Sequence, residues 1–144
     1  MNPGVQNGDL EASFPERLII VLEGVLALVV QERQHTGRFR RTDTITYHIM
    51  WHEVPIKRFI VTKERYPHYE LEIVTFLGES LADQAAQYLQ RMNVPYDSIN
   101  YESIDDFVMM LPYQRNVRAV YDSDPENLHR FGQVGVAVVR GEDW

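Results

Sequence analysis

Glu23, Thr75 and Asp122 are the polar residues whose sequence settings best suit chemistry. Each stands at or just past the end of an apolar run: Leu18-Ile19-Ile20-Val21-Leu22, Ile73-Val74-Thr75-Phe76 and Ala119-Val120-Tyr121. Carboxylates can move protons or hold a cation, and a threonine hydroxyl beside backbone amides can hold an anion. Thr75 has that setting, because a loop through Gly78 and a helix opening at Ser80 follow it. Its plain alternative is a β-branched strand residue with a locally satisfied hydroxyl. Asp122-Ser123-Asp124 also admits two readings. Either Asp124 caps a helix that Pro125 opens while Asp122 lies in a turn, or the two carboxylates contribute to a metal site. His48 and His52 have no third ligand at metal spacing and read as scattered surface histidines.

The elements that must position these residues follow from hydrophobic period and punctuation. The run at residues 18–22 is continuous and β-branched, the signature of a strand buried on both faces of a parallel sheet. Residues 25–34 and 38–50 flank His35-Thr36-Gly37 and predict a hairpin, its second arm alternating Thr42, Thr44, Thr46 and His48 with Asp43, Ile45, Tyr47 and Ile49. A helix is expected over residues 51–66, with Pro55 near its start, Ile56, Phe59 and Ile60 on one face and Pro67 closing it. Residues 69–76 predict a strand, and Ser80-Leu81-Ala82-Asp83 a capping-box start for a helix facing the core with Leu81, Ala85, Tyr88, Leu89 and Met92. A strand at 96–100 leads to a second capping box, Ser103-Ile104-Asp105-Asp106, and a helix that Pro112 stops. Residues 117–121 form a further strand, Asp124-Pro125 open a short helix that Gly132 ends, and residues 134–139 form the last strand.

Strands alternating with helices predict an α/β fold: a parallel, Rossmannoid sheet flanked by helices, with a β-hairpin flap after the first strand. In such sheets ligands bind beyond the carboxyl ends of the strands, so the topology alone should gather Glu23, Thr75 and Asp122. At 144 residues the chain suits one domain, expected over residues 16–144 behind a Gly- and Pro-containing tail at 1–15.

Composition narrows the function classes. A formal charge of −7 argues against bulk nucleic-acid binding, and the absence of cysteine excludes disulfides and thiolate chemistry. The longest apolar stretch, residues 18–30, is interrupted by Glu23-Gly24, too short to span a bilayer, and lacks the basic start of a secretory signal, so a cytoplasmic protein without a membrane partner is expected. Arg38, Arg40 and Arg41, with Arg33 opposite, are the one concentrated basic patch. It reads as a charged hairpin edge, or as a grip for an acidic partner. Trp51, Phe59, Tyr66, Tyr69 and Tyr88 read as core and rim aromatics, while Trp144 either docks on the domain or anchors a partner.

In the order and pattern of these motifs the chain resembles the haloacid dehalogenase (HAD) superfamily, and within it the phosphatase module of phage polynucleotide kinases. The resemblance covers roughly residues 17–144 and rests on Val21-Leu22-Glu23-Gly24-Val25-Leu26, on Thr75, on Asp122-Ser123-Asp124 and on the tail at residues 134–144. It implies an aspartate nucleophile where Val21 stands, and an isopropyl group can neither attack phosphorus nor bind Mg²⁺. It implies a general acid at Glu23, which has one methylene more than aspartate. The lysine it implies is missing, because no lysine follows Lys63, and Arg115 or Arg118 would have to replace it. Asp122, Asp124 and Glu23 would form at most a weak Mg²⁺ site; Thr75, Ser80 and Arg115 would line the anion site.

The expectation is therefore a catalytically inactive HAD-like pseudo-phosphatase, with a phage source implied by the resemblance, that binds or scaffolds a partner and needs no cofactor. Its contacts would run through the hairpin, by Arg33, Arg38, Arg40 and Arg41 or by self-association, or through the vacated crevice. The competing expectation is a divergent Mg²⁺-dependent phosphatase of nucleic-acid ends or small phosphate esters, with Glu23 and Asp122 catalytic.

Overall fold

The computed structural model describes residues 14–37 and 42–144. Most of the tail expected at residues 1–15 falls outside them, as do Arg38, Arg40 and Arg41. Five strands form one parallel sheet in the order β5-β4-β1-β6-β7: β1 Arg17–Val21, β4 Glu70–Thr75, β5 Ser98–Tyr101, β6 Val117–Asp122 and β7 Val138–Arg140. An antiparallel pair, β2 Ala27–Thr36 and β3 Thr42–Trp51, stands apart as a hairpin between β1 and the first helix. The helices are α1 Glu53–Arg65, α2 Glu79–Arg91, α3 Ile104–Met110 and α4 Pro125–Gln133.

The central strand explains the unbroken apolar run. Alternate residues of β1 enter two different cores, because successive side chains of a strand point to opposite faces. Leu18 and Ile20 join Phe59, Leu71, Ile73, Leu81, Ala85 and Leu89, so α1 and α2 cover that face. Ile19 and Val21 join Val74, Phe107, Leu111, Val120 and Phe131, so α3 and α4 cover the other. Burying one such aliphatic or aromatic side chain is worth about 1.5–3 kcal/mol, and β1 contributes to both layers at once.

The hairpin adds its inner face to the first core. Ala27 and Tyr47 are buried, and Val29, Ile49 and Trp51 are half-buried, whereas Leu28, Val30 and Met50 on the outer face are exposed. Trp51 stacks on Tyr88 of α2 with ring centroids 4.7 Å apart. Trp144 docks on the domain, against Tyr121 at 4.9 Å and Phe59 at 5.9 Å.

Several expected boundaries shift for identifiable reasons. Trp51 belongs to β3, where it pairs with Ala27, and α1 begins only at Glu53. His35 and Thr36 remain in β2, paired with Asp43 and Thr42. Ser80 does not cap α2: the helix starts at Glu79, its N-cap is Gly78, and the Ser80 hydroxyl accepts from Gln84 Nε2 at 3.1 Å. Met92 lies beyond the end of α2 and is exposed. Gly132 falls within the last turn of α4, the chain reversing at Gly135 instead, and β7 is three residues long rather than the run expected at 134–139. Ser103 and Asp124 do cap their helices, Ser103 Oγ accepting from Asp106 N and Asp124 Oδ1 from Glu126 N.

Candidate functional site

The carboxyl ends of β1, β4 and β6 meet beside the turn Leu22–Leu26 that leaves β1. Gly24 in this turn takes φ +90°, a conformation that costs other residues energy, and its carbonyl accepts a hydrogen bond from Ser123 Oγ at 3.0 Å. The β1 turn is thereby tied to the loop after β6. Gly141 sits against the same junction; a methyl group there would stand 2.7 Å from Ser123 Oγ and 3.1 Å from Val25.

Glu23, Thr75 and Asp122 come together at this junction. Glu23 Oε1 accepts from the Phe76 amide at 2.8 Å, and the Thr75 hydroxyl lies near enough to favour the charged form. Oε2 is buried and has no hydrogen-bond partner. Burial pushes the Glu23 carboxyl above its ordinary range, the Phe76 amide and Thr75 hydroxyl partly offset this, and the Asp122 charge adds to the rise. Thr75 is fully buried, and its Oγ1 accepts from the Leu77 amide at 3.2 Å.

Asp122 is buried with both oxygens engaged. Oδ1 accepts from the amides of Ser123 at 2.7 Å and Asp124 at 3.1 Å, and Oδ2 from Asn127 Nδ2 at 3.0 Å. Burial raises its pKa despite these donors. Asp124 turns away to the first turn of α4, accepting from Glu126 N at 2.9 Å and Asn127 N at 3.3 Å. Asp122 and Glu23 are poorly set up for Mg²⁺, since both oxygens of Asp122 are already held by amides and Glu23 offers only a buried one. Among the described residues, no three His, Cys, Asp or Glu side chains are grouped to hold a metal ion.

Val21, at the end of β1, is wholly buried in the second core with Val74, Phe107 and Phe131. Ser80 is exposed and bonds only within its own helix. Arg115 precedes β6 and lies at the other end of the strand from Asp122, its carbonyl accepting from Arg17 Nη1 at 3.2 Å. Arg118 is close to that end too, paired with Glu16 and lying over the Tyr69 ring. A strand of this length spans roughly 15–20 Å, so neither guanidinium reaches the crevice. The guanidinium at the crevice end of the sheet is Arg140, the register partner of Asp122. It lines an open groove of about 630 Å³ with Ser123, Leu128, His129 and Glu142. Arg33 is exposed on β2, and His48 pairs with Glu32 across the hairpin at 2.6 Å, apart from His52 before α1.

Sequence reasoning missed what Asn127, Tyr47 and Gly78 do in shaping the site. Asn127 lies in the first turn of α4 and reaches back to Asp122, a return that the Asp124-Pro125 helix start could have signalled. Tyr47 crosses from β3 to donate its hydroxyl to the Leu77 carbonyl at 3.1 Å. Gly78, at φ +152°, lets that ring approach, since a Cβ would stand 2.9 Å from the hydroxyl oxygen. The alternation of β3 puts Tyr47 on the inner face, but nothing local in the sequence names its partner.

The chain is thus an α/β protein with a five-stranded parallel sheet, helices on both faces and an inserted antiparallel hairpin. No protein-family model matches it, and no curated protein does. Among solved structures it is similar in fold to a chain of the "Structure of Pnkp1/Rnl/Hen1 complex", with a TM-score of 0.58 and 14% identity over 90% of this chain. The match spans 46% of that chain, so the present sequence corresponds to less than half of its neighbour.

Proposed function

We propose that this chain is a HAD-like pseudo-phosphatase, a module that binds or scaffolds a partner and does not hydrolyse phosphate esters. The observation that carries the reading is Val21: at the strand end where the resemblance calls for a nucleophile, the side chain is apolar and packed into the core. Chemistry at phosphorus would lack its first step. The engaged oxygens of Asp122, the use of Asp124 Oδ1 as a helix cap and the placement of Arg115 away from the crevice agree with it. The fold likeness to a chain of the Pnkp1/Rnl/Hen1 complex loosely fits a polynucleotide kinase-related fold, the coarser part of the reading.

A phage-encoded setting goes with the resemblance. The partner surface we favour is the hairpin, whose outer face exposes Leu28, Val30 and Met50 and whose β2 carries Arg33. An aryl phosphate assay with Mg²⁺ tests the central claim. Turnover indistinguishable from the buffer blank is expected, and hydrolysis by the wild type that is lost in Asp122→Ala would overturn it.

A further inference from the structure

The loop between β4 and α2 presents what an oxyanion needs. The Phe76 amide points into the crevice, as its bond to Glu23 Oε1 shows. The Thr75 hydroxyl accepts from Leu77 N, which leaves its own proton for another acceptor. The thirteen-residue helix α2 begins at Glu79 with no side-chain cap, although the Glu79 carboxylate in its first turn offsets part of its dipole. The Phe76 amide already holds one acceptor of the chain itself, Glu23 Oε1 at 2.8 Å, with the Thr75 hydroxyl close enough to favour the charged form.

That carboxylate is held from one side only. Glu23 Oε2 is buried without a donor, and the neighbouring charge is the like-charged Asp122. Burying a carboxylate oxygen without a partner costs free energy. Asp122 does not compete for the same donors, because Ser123, Asp124 and Asn127 satisfy it. Val21, Thr75 and Asp122 are each buried, so the crevice between them is filled.

We propose that Glu23 is the standing occupant of an oxyanion pocket formed by the Phe76 amide and the Thr75 hydroxyl, so that the crevice takes a phosphate-like anion only when this side chain is displaced. The inference rests on reading the crevice as a disused phosphate site. It adds that the site is closed from within by the chain's own carboxylate, beyond having lost its nucleophile. Glu23 acts here as a plug for a site, and the ligand class is a small oxyanion such as a terminal phosphate group.

Titration with inorganic phosphate, followed by the amide resonances of Phe76 and Leu77, tests the plug. In Glu23→Ala these resonances should shift and saturate, with affinity roughly ten- to a hundredfold above the wild type, the range that one freed hydrogen bond to a charged group supplies. Glu23→Ser should gain likewise, so the test does not depend on one variant folding. Glu23→Gln, which keeps an oxygen in reach of the Phe76 amide, should stay closed. Phosphate bound equally well by the wild type, or by neither small variant, overturns the inference. The aryl phosphate assay reports separately on the pseudo-phosphatase reading, which stands or falls on wild-type turnover.

Discussion

Val21→Asp restores the carboxylate that the resemblance calls for, but the surroundings of residue 21 dictate a structural penalty. The valine is fully buried among Val74, Phe107 and Phe131. Losing its burial costs about 1.5–3 kcal/mol, and leaving a carboxyl there without a partner adds about 1–3 kcal/mol. The sum, about 2.5–6 kcal/mol, is a large part of the 5–15 kcal/mol typical of a domain. The penalty also has a pH signature. An apolar setting raises the folded-state pKa of the new carboxyl above its unfolded value of about 3.9, so the group is neutral in both states in strong acid and the penalty is smallest there. As pH rises through the folded-state pKa, stability falls further. Urea unfolding of wild type, Val21→Asp and Val21→Thr at about pH 4 and about pH 8 measures this, with Val21→Thr showing a smaller, pH-independent loss. A loss below about 0.5 kcal/mol at the higher pH, the range of surface substitutions, would mean that residue 21 faces an open crevice and would refute the argument.

Glu23→Gln should be more stable than the wild type at neutral pH, with the difference closing in acid. The Glu23 pKa is raised by burial, so the wild type loses stability as pH rises from the ordinary glutamate range through the folded value; thermal unfolding across that range would show it. Asp124→Ala removes the cap of α4 and should cost about 1 kcal/mol by urea unfolding. Gly78→Ala forces a methyl group to 2.9 Å from the Tyr47 hydroxyl. It should cost about 1–3 kcal/mol and loosen the hairpin, seen as faster amide exchange along β3.

Much of this architecture is legible from residue order. The buried run in β1, the Ser103 and Asp124 caps and the hairpin follow from local pattern, because each depends on neighbours within a few residues. The gathering of Glu23, Thr75 and Asp122 is legible at the next level, since strands of one parallel sheet deliver their carboxyl ends to one edge. What escapes is the direction of individual side chains. Ser80 fits a capping box, yet Gly78 ends the loop earlier because Tyr47 needs the space. Arg115 is near Asp122 in sequence, but the six residues of β6 carry the two to opposite ends of the sheet. The Glu23 carboxylate reads as a proton donor, and only the fold reveals that the Phe76 amide has claimed it.

The strand order has a consequence for how the chain is made. Within this sequence β1 is made before both of its neighbours, which begin at Glu70 and Val117, so one of its edges waits until α1, α2 and α3 have all followed. The hairpin can close early from local contacts, while the sheet depends on pairings of high contact order that form slowly. A nascent chain released after α3 would carry a hydrophobic strand with one edge bare, an adhesive surface that only β6 conceals.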